Sequence, residues 1–167
     1  RGLTGLACAS TMQLPYADDT FDAVASLDVL YIQGVDDAAA LRELHRVLRP
    51  GGVLLLNLPA WEALRGAHDL AIRTRHRYRR SEVSRMLQEA GYRPEFLSYW
   101  NTALLPLGAA MRWASRLSSP AQAVSDFRPL PACLDALLKA IIRTEVRCLS
   151  RFTLPLGASI FAVARKP

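Results

Sequence analysis

Asp28 is the first residue that asks for a chemical explanation. It interrupts the apolar run Val24-Ala25-Ser26-Leu27-Asp28-Val29-Leu30, and an acid there is costly unless it is exposed or hydrogen-bonded. Its options are a backbone bond, a ligand, or water at the end of a strand. Tyr31 follows three residues on and can line a pocket, or pack in the core with its hydroxyl wet. Further along, Pro59 to Asp69 is irregular and aromatic. It holds Trp61 and the adjacent pair His68-Asp69, which has acid–base potential or is simply solvated. The run Arg73-Thr74-Arg75-His76-Arg77-Tyr78-Arg79-Arg80 is the most basic in the chain. Arginine forks match phosphate and carboxylate oxygens, so the run reads either as an anion clamp or as a solvated loop. No metal-ligand spacing appears, and no nucleophile is paired with a base. The three cysteines, Cys8, Cys133 and Cys148, are scattered and form no CxxC pair. They fit buried thiols in a reducing cytosol, which points to a cytoplasmic protein.

These residues need elements to hold them. Phe21 to Leu30 reads as a strand. Leu41, Leu44, Val47 and Leu48 recur at helical spacing, with Asp36 or Asp37 to cap the start and Pro50-Gly51-Gly52 to end the helix. Val53 to Pro59 is continuously apolar, as in a parallel strand buried on both faces. Strand, crossover helix and strand in this rhythm make a parallel βαβ unit. Residues 3–9 read as one more strand, followed by a loop over Ser10-Thr11-Met12-Gln13. Ser81 caps a helix whose stripe is Val83, Met86, Leu87 and Ala90, stopped by Gly91. Strands follow over 94–101 and from Ala158 to Ala164. Between them, residues 102–118 read as helical, 119–131 as a turn region and 132–150 as a clear helix.

At 167 residues and 51% hydrophobic content, the chain is one domain with enough apolar material for a core. Its net charge of +6 permits weak attraction to anions without identifying one. The arginine run is short and lacks interleaved aromatics beyond Tyr78, which speaks against nucleic acid as the partner. No uninterrupted apolar stretch approaches the roughly 20 residues that span a bilayer.

Leu14-Pro15-Tyr16-Ala17-Asp18-Asp19-Thr20-Phe21-Asp22-Ala23-Val24, followed by Arg46-Val47-Leu48-Arg49-Pro50-Gly51-Gly52, resembles the second half of the class I S-adenosylmethionine-dependent methyltransferases. The subgroup it is most similar to includes the ubiquinone and menaquinone biosynthesis enzymes (the methyltransferase type 11 group). The resemblance is strongest over residues 10–59 and continues through Arg77-Tyr78, Ala90-Gly91-Tyr92 and the tail Ala162 to Pro167. It implies an α/β fold, an incomplete Rossmann-like sheet with a helical insertion before the last strand. In that reading the chain is the C-terminal portion of a longer enzyme, without the family's Gly-rich cofactor loop.

Several site residues follow from the resemblance alone. The cofactor is S-adenosyl-L-methionine. The loop after the family's third strand borders the adenine, so Ser10, Thr11 and Met12 are cofactor candidates, with Leu27 and Asp28 at the end of the fourth strand. Tyr31, Trp61, His68, Arg77 and Tyr78 are candidates for the acceptor. Ile32 departs from the His that the family often carries beside the transferred methyl, so no catalytic base is assigned. The partner is a small-molecule or lipid-like acceptor. Residues 102–150 form a lid over it, a subunit interface, or a helix pair in peripheral contact with a membrane; roughly 50 residues are too many for a plain loop. A non-catalytic methyltransferase-like domain that binds a partner through this insertion is the alternative. Without its family neighbour, the strand from Phe21 becomes a naked edge. The segment 3–9 must then pair elsewhere or sit exposed, and the chain alone is expected to bind the cofactor weakly.

Overall fold

The computed structural model describes residues 5–102, 105–106, 132–149 and 151–167. Its centre is a four-stranded sheet built from β1 (Phe21–Leu27), β2 (Leu48–Pro59), β3 (Arg93–Trp100) and β4 (Ser159–Arg165), in the order β1-β2-β4-β3. β1 and β2 run parallel, with Ala23 beside Val53 and Leu27 beside Asn57. β4 lies antiparallel between β2 and β3. The parallel pair is connected by helix α1 (Asp37–Val47), the crossover that such a pair requires.

Helix α1 begins where Asp36 accepts the Ala39 N–H at 2.7 Å. It buries Ala40, Leu41, Leu44 and Val47. It ends earlier than the sequence suggests. Leu48 is already extended and opposite Phe21, so Pro50-Gly51-Gly52 lies inside β2 rather than at the helix end. An N-cap carboxylate satisfies one of the orphan amides of the first turn. Asp36→Ala should therefore cost about 1 kcal/mol in urea denaturation.

Helix α3 (Arg80–Glu89) lies on the same face of the sheet as α1. Arg79, not Ser81, is its N-cap, and Glu82 accepts the Arg79 N–H at 3.3 Å. At the other end the Tyr92 N–H reaches Leu87 O and the Gly91 N–H reaches Gln88 O, with Gly91 at φ 88°. These paired bonds need a left-handed residue at Gly91. Between α2 (Ala67–Ala71) and the sheet, a short 3₁₀ turn covers Glu62–Leu64.

The core lies between the helices and one face of the sheet. Leu54, Leu56 and Leu58 of β2 and Ile160, Ala162 and Ala164 of β4 meet Leu41, Leu44, Val83 and Leu87. On the other face, Val53 and Leu55 are half-buried and Ala23, Ala25 and Leu27 are exposed. The apolar run of β2 is thus fully covered on one side only. Residues 5–9 are irregular and exposed instead of forming a strand. With no neighbouring strand to take their amides, they remain in water, as unpaired backbone requires. β1 is an outer strand of the sheet.

Helix α4 (Ala132–Leu149) supplies the described part of the segment before β4. The expectations for residues 102–118 and 119–131 fall almost wholly outside the described residues. Cys8 and Cys148 are exposed, not buried. No helix among the described residues is long and apolar enough to cross a membrane.

Candidate functional site at the carboxyl end of the parallel strands

β1 and β2 end together, and the first residues beyond them set the geometry. Asp28 takes a left-handed conformation, φ 58°, which a short polar side chain tolerates. Its N–H donates to Asn57 O at 3.2 Å, which ties it to the end of β2. Asn57 Nδ2 donates to Asp28 Oδ1 at 2.9 Å, and Trp100 Nε1 donates to Asn57 Oδ1 at 2.8 Å. One amide thereby joins the ends of three strands, and each partner fixes the orientation of the next.

Leu27, Asp28, Asn57, Trp100, Phe96 and Phe161 line a cavity of about 680 Å³ on the less covered face of the sheet. Val146 and Leu149, from the last turn of α4, close part of it. Glu145 anchors that turn by accepting the Thr102 N–H at 2.8 Å. A shallower groove of about 340 Å³ follows the outer edge of β1, lined by Thr11, Leu14, Ser26 and Val29 among others. The Ser26 hydroxyl is buried there without a hydrogen-bond partner. Consecutive residues of one strand end therefore border both spaces: Ser26 and Val29 the groove, Leu27 and Asp28 the cavity.

Ser10, Thr11 and Met12 form a tight turn beside the groove. Ser10 Oγ accepts the Met12 N–H at 3.2 Å, which is the turn role its residue type suggests. Met12 Sδ accepts the Asp36 N–H at 3.3 Å and so pins the turn to the start of α1.

The acceptor candidates lie elsewhere, in a packed layer beyond β2. Tyr31 is 8% exposed. Burial first, then the Asp28 and Asp69 carboxylates, push its phenol above the ordinary range. Tyr78 is fully buried and donates to Asp37, while Arg75 donates to the Tyr78 hydroxyl at 3.3 Å and to Asp37 at 2.6 Å. Burial first and then Asp37 raise the Tyr78 phenol strongly. Arg77 holds Asp69 through Nε at 2.8 Å and Nη2 at 3.1 Å, and Nη1 donates to Ala60 O. Trp61 stacks on Tyr99 with ring centroids 4.9 Å apart and donates Nε1–H to Gly157 O. His68 sits on α2, and its side chain lies outside the described residues. The basic run is thus partly turned inward: Arg75 and Arg77 each meet an acid of the same chain.

The structure brings Leu27 and Asp28 to the cavity and gathers Tyr31, Trp61, Arg77 and Tyr78 into the packed layer. Sequence reasoning missed Asn57. Its signal was available, because it is a polar residue inside an apolar strand run, the feature that singles out Asp28. Phe96, Phe161, Val146 and Leu149 carried no such signal, since apolar residues on strands and helices look the same whether they face a core or a cavity.

Strand order β1-β2-β4-β3 with β1 and β2 parallel and β4 antiparallel makes a mixed, open α/β sheet. Residues 2–56 match the family described as Methyltransferase domain. The chain has the class I methyltransferase fold. It is similar to an uncharacterized methyltransferase of Mycobacterium leprae, 28% identical over 72% of this chain and 44% of that protein. It is also similar to a demethylmenaquinone methyltransferase of Corynebacterium urealyticum, 47% identical over 29% of this chain and 21% of that one. A solved SAM-dependent methyltransferase from Thermotoga maritima superimposes with a TM-score of 0.57 at 14% identity, over 95% of this chain and 62% of that one. The chain spans less than half the length of the curated relatives it matches.

Proposed function

We propose that the protein transfers a methyl group from S-adenosylmethionine to a small, apolar acceptor. The observation that carries this reading is the cavity at Leu27, Asp28 and Asn57, the carboxyl ends of two parallel strands, where ligands of open α/β sheets lie, with the groove along β1 next to it. The 47% identity to a demethylmenaquinone methyltransferase supports a lipid-like acceptor, because that relative's name gives it a lipid-like quinone.

The residues around the groove suit the nucleoside end of the cofactor. Leu14 and Val29 offer apolar contact, with exposed Met12 in the adjoining turn, and the unpartnered Ser26 hydroxyl together with Thr11 offers hydrogen bonds. When bound, S-adenosylmethionine supplies an electrophilic methyl on a sulfonium. The chain's own part is positioning, which accounts for much of the rate where reactants must approach in line. Helix α4 serves this reading as part of a lid, with Val146 and Leu149 reaching the cavity.

The test incubates the full-length enzyme, of which this reading makes the chain the carboxyl portion, with methyl-tritiated S-adenosylmethionine and a panel of quinols, phenols and polar amines. Label is expected in the organic extract with the apolar acceptors. Label confined to the polar amines, or no transfer to any acceptor, would reject the reading.

A further inference from the structure

We propose that the segment between β2 and α3, residues 60–79, is a tip that docks on an anionic lipid surface, with Leu70, Ile72 and Ile32 entering the interface and Arg73 meeting the headgroup charge. The proposal stands apart from the methyl-transfer reading and from residues 102–150. Its first support is how firmly the segment is built. Its ends are joined, because the Trp61 N–H donates to Tyr78 O at 3.0 Å and the Tyr78 N–H to Pro59 O at 2.9 Å. Arg65 reaches across and donates to Thr74 O and Arg75 O, each at 2.9 Å. The Asp69 carboxylate ties Arg77 to the Gly66 N–H. A compact loop with closed ends and its own internal bonds is the kind that carries function. It is also joined to the chain beyond β1: Ile32 bridges Thr74, and the Gln33 N–H donates to Arg73 O at 3.0 Å.

What this frame presents to solvent is carbon. Leu70 is 72% exposed, and Ile72 and Ile32 are each 36% exposed. Apolar side chains held out by a polar frame mark a contact surface. The Arg73 N–H closes a turn onto Leu70 O at 3.2 Å, which keeps the arginine next to Leu70 and Ile72. Arg73 is exposed and meets no acid among the described residues. The only acid between Gly66 and Arg73 is Asp69, which is 2% exposed, and Asp37 is taken by Arg75. Residues 70–73 thus carry aliphatic surface and one positive charge. That pattern complements an anionic bilayer, whose surface attracts arginine and whose acyl boundary takes aliphatic side chains. A protein partner suits it less. Stable protein interfaces bury about 800 Å² on each side, and three aliphatic side chains supply only a fraction of that. The chain's net charge of +6 draws the molecule toward the same lipid surface.

Co-sedimentation of the full-length protein with vesicles tests this without a methyl donor or acceptor. Vesicles of equal parts phosphatidylglycerol and phosphatidylcholine should bind it about tenfold more tightly than phosphatidylcholine alone, and high salt should remove most of the difference. Arg73→Gly keeps the positive φ of 56° and removes the charge. It should cost about fivefold on anionic vesicles and leave the weak binding to neutral ones unchanged. Leu70→Glu should weaken binding about tenfold or more, with the denaturation midpoint unchanged because the side chain already lies in water. Leu70→Trp should bind more tightly than the parent and shift its emission to the blue on anionic vesicles, a gain that a folding defect cannot produce. No preference for anionic vesicles, parental binding by either Leu70→Glu or Arg73→Gly, or a Leu70→Trp emission indifferent to vesicles would each overturn the proposal. So would a Leu70→Glu variant that unfolds or turns a dimer into a monomer, since the tip would then be covered by the chain itself or by a second copy. Vesicle binding and methyl transfer are read separately, so the failure of either leaves the other standing.

Discussion

Arg77→Ala is expected to destabilise the protein by about 3–5 kcal/mol, the cost of leaving a buried charge without its partner. Asp69 is 2% exposed, and the Arg77 side chain is only 13% exposed. Two guanidinium bonds and the Gly66 N–H, at 2.7 Å, hold the carboxylate. Removing the guanidinium strands that carboxylate among atoms that cannot hydrate it. The Ala60 carbonyl loses a donor as well, and it belongs to the strand end that positions Trp61. Removing both charges together, as Asp69→Asn with Arg77→Met, should recover a large share of the loss, because no uncompensated ion remains. Urea denaturation of the two single variants and the double variant measures the coupling directly.

The same pair sets an acid response. Burial pushes the Asp69 carboxyl up, but the Arg77 and Gly66 hydrogen bonds outweigh it and leave the group below its usual value. A depressed carboxylate contributes stability that is present in full above its unfolded pKa, about 4, and is lost as pH falls through the folded value. Glu43, lowered to about 2 mainly by Arg46 and then by the Leu14 N–H, acts in the same direction. Wild-type stability should therefore fall with acidification below pH 4. Arg77→Ala should fall less steeply there, because its Asp69 no longer has the lowered value to lose. A pH series of denaturation midpoints checks the sign, and parallel curves for the two proteins would contradict it.

Much of this architecture was legible because its signals are local. The apolar periodicity of Leu41, Leu44 and Val47 and the carboxylate at Asp36 specify α1 without reference to the rest of the chain. The left-handed requirement at Gly91 likewise ends α3 where the sequence says it should. The failures are those where tertiary pairing decides. Leu48 has a helical neighbourhood, but it extends because Phe21 pairs with it across β1. Residues 3–9 have strand composition, and composition forms no strand without a partner to bond. Arg75 and Arg77 read as part of an anion clamp or of a solvated loop because the acids that meet them, Asp37 and Asp69, are 38 and 8 residues away. At the site, Asp28 was visible as an anomaly within its own strand. The cavity was not visible, since it depends on α4 crossing residues from four strands.

Gly157→Ala should cost about 3 kcal/mol, the upper part of the range for forcing atoms into packed space, and should also disturb the cavity. A Cβ at Gly157 would stand 2.5 Å from the Trp100 N and 2.8 Å from its carbonyl carbon, and against its carbonyl oxygen as well. All three are backbone atoms of a paired strand, so no flexible side chain can swing aside. The segment entering β4 is fixed from several sides. Gly157 O accepts from Trp61 Nε1, Leu156 O accepts from the Thr102 hydroxyl, and the Leu154 N–H donates to Ser98 Oγ at 2.8 Å. The added methyl must therefore move Trp100 or break these bonds. Moving Trp100 withdraws the donor that orients Asn57, and with it the constraint on Asp28. The variant should show a lowered denaturation midpoint. Leu156→Ala, one residue away and 53% exposed, should change stability by less than about 0.5 kcal/mol. If Gly157→Ala matches that control, the close approach of the two backbones is wrong, and the orienting chain from Trp100 to Asp28 loses its support.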